Sequence, residues 1–435
     1  MSETGKAIIE LKNISHTFRM GGGQKLRVLQ DINISLYQDE VVALLGPSGS
    51  GKSTCLRILA GLLQPTHGRV LVDGKKLNGT NPRVSMVFQS YALLPWLTVF
   101  ENVEVALESL QLPREEVRER VKRAIDLVGL EGFEEAYPRE LAGGMKQRVG
   151  IARALVGERP VLCLDEPFSA LDVLTAEALR SEVLRLWLTR KTATKTMVLV
   201  THNISEAALL AKRILVMGTG PGHVQVSIKN DLPYPRDERS SGFKSLVMNI
   251  HDVITQSIIP DTPEWVPPAL AATTIETIPP VPLVEVIGLI EFIAARGGQG
   301  DSFAIANELK KDFGNVLFLA KAAELLDFVD TPKNAIVLTD FGKRFIQSDV
   351  NVRKRVLHEA LKGLRLAQLL EQKLKTAEQF TLPIETVHEY IREWMPNENA
   401  ETITNTLVQW GRYGELFGYN DDTKQIYLDV GQETA

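Results

Sequence analysis

The stretch that decides the fold is "VVALLGPSGSGKST", residues 41–54. Its first five residues predict a buried strand, and Gly46–Ser53 fits the pattern G-x-x-x-x-G-K-[ST]. Glycines let such a loop point consecutive backbone N–H groups at phosphate oxygens, while Lys52 adds a mobile positive charge and Ser53 offers a hydroxyl to Mg²⁺. The helix that follows directs its positive end at the same anion. The predicted phosphate site consists of Gly46, Pro47, Ser48, Gly49, Ser50, Gly51, Lys52, Ser53 and Thr54.

The other apolar runs of the N-terminal half predict a largely parallel sheet. The runs "VVALL", "RVSMVF", "VLCLD", "TMVLVTH" and "RILVM" alternate with amphipathic helical stretches over residues 1–228. Most are too continuously apolar to have a wet face, which is typical of strands covered on both sides by crossover helices. The sequence therefore indicates an α/β fold in which the phosphate loop leaves one strand.

A second motif, "VLCLDEP" at residues 161–167, adds acidic groups at the end of another strand. A phosphate loop alone leaves kinases, GTPases and many other ATPases open, and an Asp–Glu pair after a strand is usually surface charge. Downstream of a phosphate loop, however, Asp165 is placed to hold Mg²⁺ through water and Glu166 to take a proton from an attacking water. The pair therefore favours a nucleotide hydrolase.

Composition limits the class of protein. The chain has 435 residues, of which 44% are hydrophobic and 24% charged, a balance typical of a soluble globular protein with two or three domains. No apolar run approaches the roughly 20 residues that cross a bilayer, and the N-terminus lacks the apolar centre of a secretion signal. We therefore expect a cytosolic chain, in which Cys55 and Cys163 are reduced core residues.

The chain divides at a proline-rich region. We predict a nucleotide-binding domain over 1–229, a linker over 230–282 and a C-terminal domain over 283–431. Within the linker, "IIPDTPEWVPPAL" and "TIPPVP" carry seven of the 21 prolines, so we expect no helix to run through this range. Residues 281–435 contain 17 Lys and Arg against 23 Asp and Glu, net −6, whereas residues 1–280 contain 32 against 31, net +1. No internal repeat is evident in the sequence.

Together with further motifs, residues 8 to about 235 resemble the nucleotide-binding subunit of an ABC transporter. These motifs are Gln89 in "VFQS", "LAGGM", "SALD" and His202 in "LVTHNISEA". The resemblance implies an α/β P-loop core with antiparallel β and helical subdomains, in which Gln89 contacts Mg²⁺ and senses a membrane partner and His202 contacts the γ-phosphate of ATP. It also implies that Phe18 stacks on adenine. Without the resemblance, a strand-end histidine and a lone phenylalanine are more often core residues.

The signature region departs from the family pattern L-S-G-G-Q. The resemblance implies that two subunits face each other and that each signature closes over the ATP held by the other subunit. The signature here is Leu141, Ala142, Gly143, Gly144 and Met145, and the D-loop is Ser169, Ala170, Leu171 and Asp172. Because Ala142 lacks the serine hydroxyl, one phosphate hydrogen bond and one helix cap are lost. This predicts weaker ATP-driven closure or a slower cycle, unless the position simply tolerates change.

Two other stretches resemble one branch of importers. "ALLPWLTV" and "MGTGPGHVQVSIKNDLPYPRD" are similar to segments of nitrate, sulfonate, taurine and bicarbonate importers, with Gly218–Gly222 as the most typical part. The resemblance implies a homodimer at the cytoplasmic face of the inner membrane, joined to permease subunits and supplied by an external solute-binding protein. The residues expected to receive the permease are Tyr91, Leu93, Leu94, Pro95 and Trp96, which are otherwise core candidates.

The C-terminal domain is predicted to be a smaller α+β unit with a winged helix. Residues 301–346 show a helix, a turn, a second helix and a strand pair, and 283–431 resemble an AAA-associated domain appended to ATPases of this branch. One interpretation is a protein module that dimerises or regulates the transporter. Another is DNA binding, which makes the chain a soluble nucleotide-switched regulator without a transport role. The net charge of −6 opposes nucleic acid binding. The cations concerned are Lys310, Lys311, Lys343, Arg344 and Arg353–Arg355.

Overall fold

A computed structural model describes residues 6–19, 25–258, 275–332, 334–395 and 398–428. The chain forms two compact units: unit 1 contains Met1–Arg19 and Arg27–Ile250, and unit 2 contains Met20–Leu26 and His251–Ala435. Within the described ranges, no helix combines the length and the apolar character that a bilayer-spanning helix requires.

A six-stranded sheet forms the core of unit 1. Its order is β10-β9-β3-β8-β7-β6, and every pair is parallel except β10 with β9. All residues of β3, β7 and β8 are buried, which explains their uninterrupted apolar sequences. The prediction of a largely parallel sheet is confirmed. The strands are β3 Val41–Leu45, β6 Val84–Val87, β7 Val161–Asp165, β8 Thr196–Thr201, β9 Arg213–Gly218 and β10 His223–Lys229.

A second sheet has the order β2-β1-β4-β5, in which β4 pairs antiparallel with both neighbours. Apolar side chains of β1 and β2 pack against α1 in one continuous core that also contains Cys55 and Cys163. Both cysteines are free and buried, as predicted, and burial raises the pKa of the Cys55 thiol to about 12. The elements are β1 Ile9–Arg19, β2 Lys25–Leu36, β4 His67–Val72, β5 Lys75–Lys76 and α1 Lys52–Leu59.

Three helices of unit 1, α2, α3 and α4, pack on one another and form a helical subdomain. Together with the two sheets, this subdomain confirms the predicted α/β P-loop core with antiparallel β and helical parts. The helices of unit 1 are α2 Val99–Glu104, α3 Arg114–Leu127, α4 Gly143–Leu155, α5 Val173–Leu188 and α6 Ile204–Leu210, and α7 Ser241–Ile258 continues into unit 2.

The predicted linker at 230–282 contains the helix α7, so the expectation that no helix runs through this range was wrong. The range is rich in proline, but none occurs between Pro235 and Pro260, and this proline-free interval is long enough for the helix. Residues 259–274 lie outside the described residues. The three domain boundaries given above stay predictions.

Unit 2 contains the same motif twice. Each copy runs helix, strand, helix, helix, strand, strand, and each three-stranded sheet places its third strand in the middle: β11-β13-β12 and β14-β16-β15. The first copy consists of α8 Leu283–Ala294, β11 Gln299–Asp301, α9 Ser302–Leu309, α10 Phe313–Leu325, β12 Val329–Asp330 and β13 Ala335–Leu338. The second consists of α13 Arg365–Thr376, β14 Thr381–Pro383, α14 Ile384–Trp394, α15 Ala400–Tyr413, β15 Gly418–Asn420 and β16 Gln425–Tyr427. Helices α11 Asp340–Gln347 and α12 Val350–Gly363 lie between them.

Equivalent backbone hydrogen bonds support this repeat. The N–H of Leu338 donates to Gly298 in the first copy, and the N–H of Leu428 donates to Phe380 in the second. The acceptor is left-handed in both, with φ 88° at Gly298 and 53° at Phe380. The winged-helix prediction is confirmed, and the structure reveals an internal repeat that is not evident in the sequence. The repeat lies in backbone geometry, and side chains as different as glycine and phenylalanine occupy matching positions.

Gly342 gives a test of the packing in unit 2. A Cβ added at Gly342 would lie 2.0 Å from the carbonyl oxygen of Phe328, a fully buried residue. We expect Gly342→Ala to lower the free energy of unfolding by about 1–3 kcal/mol. The matched control Gly288→Ala, in α8 with no atom within 4 Å of the new Cβ, should raise it by about 0.5–1 kcal/mol. Urea unfolding followed by tryptophan fluorescence checks both values, and equal midpoints would contradict the expectation.

Candidate functional site

The phosphate loop joins the end of β3 to the start of α1. Gly49 and Gly51 have φ of 83° and 81°, so the loop uses the left-handed backbone that glycine adopts without a steric cost. Lys52 is only 5% exposed, and its ammonium donates to the carbonyls of Gly46 and Pro47, both at 2.8 Å. The lysine is therefore held over its own loop, at the positive end of α1.

Ser53 and Asp165 bring the loop and β7 together. The Ser53 hydroxyl donates to the Asp165 carboxylate over 2.7 Å. Asp165 is 2% exposed, and this burial raises the pKa of its carboxyl group, an effect that the hydrogen bond from Ser53 opposes. Two oxygen groups that were predicted to lie near a metal ion are thus in direct contact.

Glu166 contacts two other predicted site residues, Gln89 and His202. Its Oε2 accepts from the Gln89 amide at 3.1 Å and lies 3.4 Å from Nδ1 of His202. The hydrogen bond with His202 holds the pKa of the Glu166 carboxyl below its usual value, so the group is ionised at neutral pH and can accept a proton. The backbone of Glu166 is left-handed, with φ 44°, and its N–H donates to Val200 of β8.

The signature residues lie at the start of α4. Ala142 is the N-cap of this helix and makes no side-chain capping bond, whereas Gly143 and Gly144 are its first two residues. A Cβ at Gly144 would lie 2.4 Å from the Thr175 methyl group on α5, so glycine permits a close approach of the two helices. Ala142 and Gly143 are exposed, Met145 is half-buried and Leu141 is buried.

The D-loop residues connect Glu166 to α5. The Ser169 hydroxyl donates to the carbonyl of Glu166 at 3.0 Å. Asp172 caps α5 by accepting from the N–H of Thr175 at 3.1 Å, and hydrogen bonding to Thr175 lowers the pKa of the Asp172 carboxyl. Ala170 is exposed and Leu171 is half-buried. Because Thr175 also contacts Gly144, the D-loop helix and the signature helix share one contact residue.

A half-buried arginine connects the signature helix to the loop after Gln89. Arg153 of α4 donates to the carbonyls of Tyr91 and Ala92 at 2.8 and 2.7 Å. Both residues are left-handed, with φ of 61° and 50°, a backbone that costs energy in non-glycine residues. This contact is not predictable from the sequence, because no motif signals a side chain that bonds to distant carbonyls.

Phe18 is separate from the bonded cluster of site residues, which consists of Ser53, Asp165, Gln89, Glu166 and His202. It lies near the end of β1, is 36% exposed, and its ring packs edge-on against His16 with 4.5 Å between ring centroids. This exposure leaves one side of the ring open for stacking. The ring of His16 is 7% exposed and fixes the orientation of Phe18 by contact.

The glycine and proline segment after β9 packs behind the phosphate loop. Gly222 exchanges hydrogen bonds with β2: its N–H donates to Val28 and its carbonyl accepts from Gln30, both at 2.9 Å. A Cβ on Gly222 would lie 2.1 Å from the carbonyl oxygen of Ser50. In the sequence, Gly218–Gly222 is only a mark of an importer branch, whereas the structure shows that Gly222 packs against the phosphate loop.

Comparison with known proteins identifies the family. A family model described as ABC transporter matches residues 29–169. An ABC transporter ATP-binding protein of Methanocaldococcus jannaschii is 41% identical over 254 residues, which are 58% of this chain and 94% of that relative. The chain belongs to the family of ABC transporter ATP-binding proteins. As a member of that family it binds ATP and is an ATPase.

The chain is also similar to relatives whose names state what they import. An aliphatic sulfonates import ATP-binding protein of Bacillus cereus is 41% identical over 238 residues, 55% of this chain and 92% of that protein. The C-terminal AAA-associated domain matches residues 303–420. A solved dimeric cassette in a post-hydrolysis state, bound to ADP and Pi, is 34% identical and covers 53% of this chain and 99% of its own, with a TM-score of 0.46.

Ala142→Ser tests the departure in the signature. A serine N-cap side chain can accept from the first turn of α4, worth about 1 kcal/mol, and it supplies the hydroxyl that the family pattern has at this position. We expect Ala142→Ser to increase both the ATPase rate and the ATP-dependent dimer population measured by size-exclusion chromatography. The matched control Ala142→Val adds volume without a cap and should increase neither. Unchanged rate and dimer population in Ala142→Ser would show that the position tolerates change.

Proposed function

We propose that this protein is the ATP-hydrolysing subunit that powers an importer for a small anion. The bonded cluster carries the proposal: Ser53 contacts Asp165, and Gln89 and His202 both contact Glu166. Relatives named as aliphatic sulfonates import ATP-binding proteins, 41–43% identical, support a sulfonate as the cargo. The sequence resemblance covers nitrate, taurine and bicarbonate importers as well, and these anions form the wider class.

The residues of the proposed site have different roles in binding and cleaving ATP, according to their chemistry. The loop from Gly46 to Thr54 supplies backbone donors for the phosphates of ATP, and the Lys52 ammonium exchanges its two carbonyl partners for phosphate oxygens. Glu166, ionised at neutral pH, accepts the proton of the attacking water. Gln89 and His202, both on Oε2 of Glu166, orient this carboxylate, and His202 contacts the γ-phosphate.

The donor set fits a magnesium ion. Magnesium prefers oxygen ligands and keeps several waters, and the Ser53 hydroxyl and the Asp165 carboxylate are in contact beside the phosphate loop. The Gln89 amide donates through its nitrogen to Glu166, which leaves its carbonyl oxygen for a cation. In this proposal Ser53, Gln89 and Asp165 would hold Mg²⁺, which would supply positive charge beside the phosphates.

A second copy of the chain completes the site. Gly143 and Gly144 begin a helix of 13 residues whose first N–H groups and positive end favour an anion. Gly143 and the N-cap Ala142 are exposed. We infer that these residues, with Leu141 and Met145 as their flanks, close over the γ-phosphate bound to the facing copy. Phe18 stacks on the adenine of its own copy.

The loop after Gln89 is the proposed contact with the permease. Trp96 is 69% exposed and Pro95 is exposed, an arrangement that suits an apolar partner helix. Arg153 bonds this loop to the signature helix, so movement of a permease at Trp96 reaches both Gln89 and Gly143. The assembly acts at the cytoplasmic face of the inner membrane and takes its cargo from an external solute-binding protein.

The rival function, a soluble nucleotide-switched regulator that binds DNA, is opposed by two observations on unit 2. Eight of the 13 residues of α10, the third helix of the first copy, are buried, so this helix has no wide exposed face to enter a DNA groove. Five of the seven cations proposed for phosphate contacts bond to carboxylates instead. These pairs are Lys311–Glu285, Lys343–Asp340, Arg344–Glu359, Arg353–Glu291 and Lys354–Glu415. Recovery with membranes and a permease, rather than with nucleic acid, separates the two functions.

Glu166→Gln tests the assignment of the base. The amide keeps the size of the carboxylate but cannot accept the proton, so we expect ATP turnover to fall roughly 10²–10⁴-fold. ATP affinity, measured with a fluorescent analogue, should stay within about twofold because the phosphate loop is unchanged. Glu116→Gln makes the same change at a carboxylate of α3 that bonds to Arg120, and this control should leave ATP turnover unchanged. A Glu166→Gln protein that still cleaves ATP at the native rate would refute the assignment.

Removal of the C-terminal unit tests its role as a module that dimerises or regulates the transporter. We expect deletion of residues 260–435 to change uptake or its dependence on internal substrate, because the deletion removes most of unit 2. The measurement is uptake of labelled sulfonate across a range of internal concentrations. Uptake identical to that of the full-length chain at every concentration would contradict a regulatory role.

A further inference from the structure

Side chains from the segment 230–236 bind the carboxyl end of α6, the helix that follows His202. The last carbonyls of any helix lack partners within that helix, and those of Ala208 and Ala211 belong to fully buried residues. The Asn230 amide donates to these two carbonyls at 2.7 and 2.9 Å. The Tyr234 hydroxyl donates to Leu210 at 2.6 Å. We call Asn230, Tyr234 and Arg236 the clasp.

Arg236 is the most extensively bonded member of the clasp. One guanidinium nitrogen donates to the carbonyls of Ala208, Leu209 and Ala211 at 3.0, 2.9 and 2.8 Å. The guanidinium lies 4.1 Å from the centroid of the Tyr234 ring, and Arg236 is only 8% exposed. A cation at the carboxyl end of a helix also interacts favourably with the helix dipole. The clasp therefore supplies both the hydrogen-bond donors and the positive charge that this helix end requires.

The other end of α6 fixes the backbone on both sides of His202. Asn203 is the N-cap of α6 and accepts from the N–H of Glu206 at 3.1 Å. The Thr201 hydroxyl donates to the Glu206 carboxylate at 2.7 Å and accepts from the N–H of Asn203 at 3.0 Å. The residues before and after His202 are thus bonded to α6 or to each other. A shift of this short helix moves His202 relative to Glu166.

We propose that the clasp positions His202 for catalysis through α6. The helix has seven residues, about 10 Å in length, so its two ends are mechanically close. It packs against β3, whose end carries the phosphate loop, and against β8, whose end precedes His202. Arg236, Asn230 and Tyr234 are positioning residues, because they act on the reaction through the helix and not by contact with ATP. This inference rests on the proposed role of His202 at the γ-phosphate.

A double-mutant cycle with His202 tests the proposal. The variants Arg236→Met, His202→Ala and their combination are made in the full-length chain, and cleavage of ATP is followed under single-turnover conditions that resolve slow rates. We expect Arg236→Met to lower the rate constant about tenfold in the native background and less than about twofold in His202→Ala, with ATP affinity nearly unchanged in both. Arg236→Lys keeps the charge but not the planar donors, and should restore part of the rate.

Arg353→Met is the matched control. Arg353 also donates to carbonyls at a helix end, those of Ile346 and Ser348, and its guanidinium lies 5.5 Å from the Phe345 ring centroid. It belongs to unit 2, so its loss should lower the thermal midpoint without changing the cleavage rate. If Arg236→Met does not fold, the same cycle is measured with Arg236→Lys.

The outcomes separate the clasp from the role of His202. A smaller effect of the Arg236 substitution in His202→Ala than in the native background supports the proposal. An equal loss of rate in both backgrounds, with His202→Ala itself impaired, overturns the clasp and leaves the function of His202 intact. If His202→Ala cleaves ATP at the native rate, the proposed role of His202 is refuted, together with any positioning effect on it.

Discussion

The structure of the site depends on the register of three buried parallel strands. In the central sheet Leu45 of β3 pairs with Thr201 of β8, and Asp165 of β7 pairs with Val200. The carboxyl ends of these strands therefore lie at one level of one sheet edge, where the phosphate loop, the acidic pair and His202 leave the sheet. The buried apolar strands hold the charged groups close together. Hydrogen bonds among half-buried polar groups contribute too little to the stability of the fold to do this alone.

Backbone geometry then aims the side chains within this edge. Gly49 and Gly51 allow the phosphate loop to curl, and the left-handed backbone of Glu166 turns its carboxylate toward Gln89 and His202. The supports of these residues are themselves backbone contacts: Gly222 packs against Ser50, and Arg153 bonds to the left-handed residues after Gln89. The phosphate loop and the loop after Gln89 are thus each in contact with a residue distant in the sequence.

Unit 2 repeats a backbone motif without repeating its side chains. In the first copy Val337 of β13 pairs with Gln299 of β11. At the matching position of the second copy, Tyr427 of β16 pairs with Thr381 of β14. The common features are strand order, hydrogen bonds and left-handed positions, which many sequences can satisfy. Several cations of unit 2, among them Lys311 and Arg353, are paired with carboxylates, and the family match at 303–420 marks the domain without assigning its role.

The sequence by itself determined the parallel core, the phosphate loop and the identity of the residues at the sheet edge. Continuous apolar runs fix buried strands, and G-x-x-x-x-G-K-S is too constrained in spacing to serve as an ordinary turn. Only the tertiary structure decided which groups touch: that Gln89 and His202 share one oxygen of Glu166, that α7 lies inside a region rich in proline, and that Arg236 bonds to the helix after His202. These contacts join residues far apart in the chain, and no local pattern encodes them because they depend on how complete elements pack.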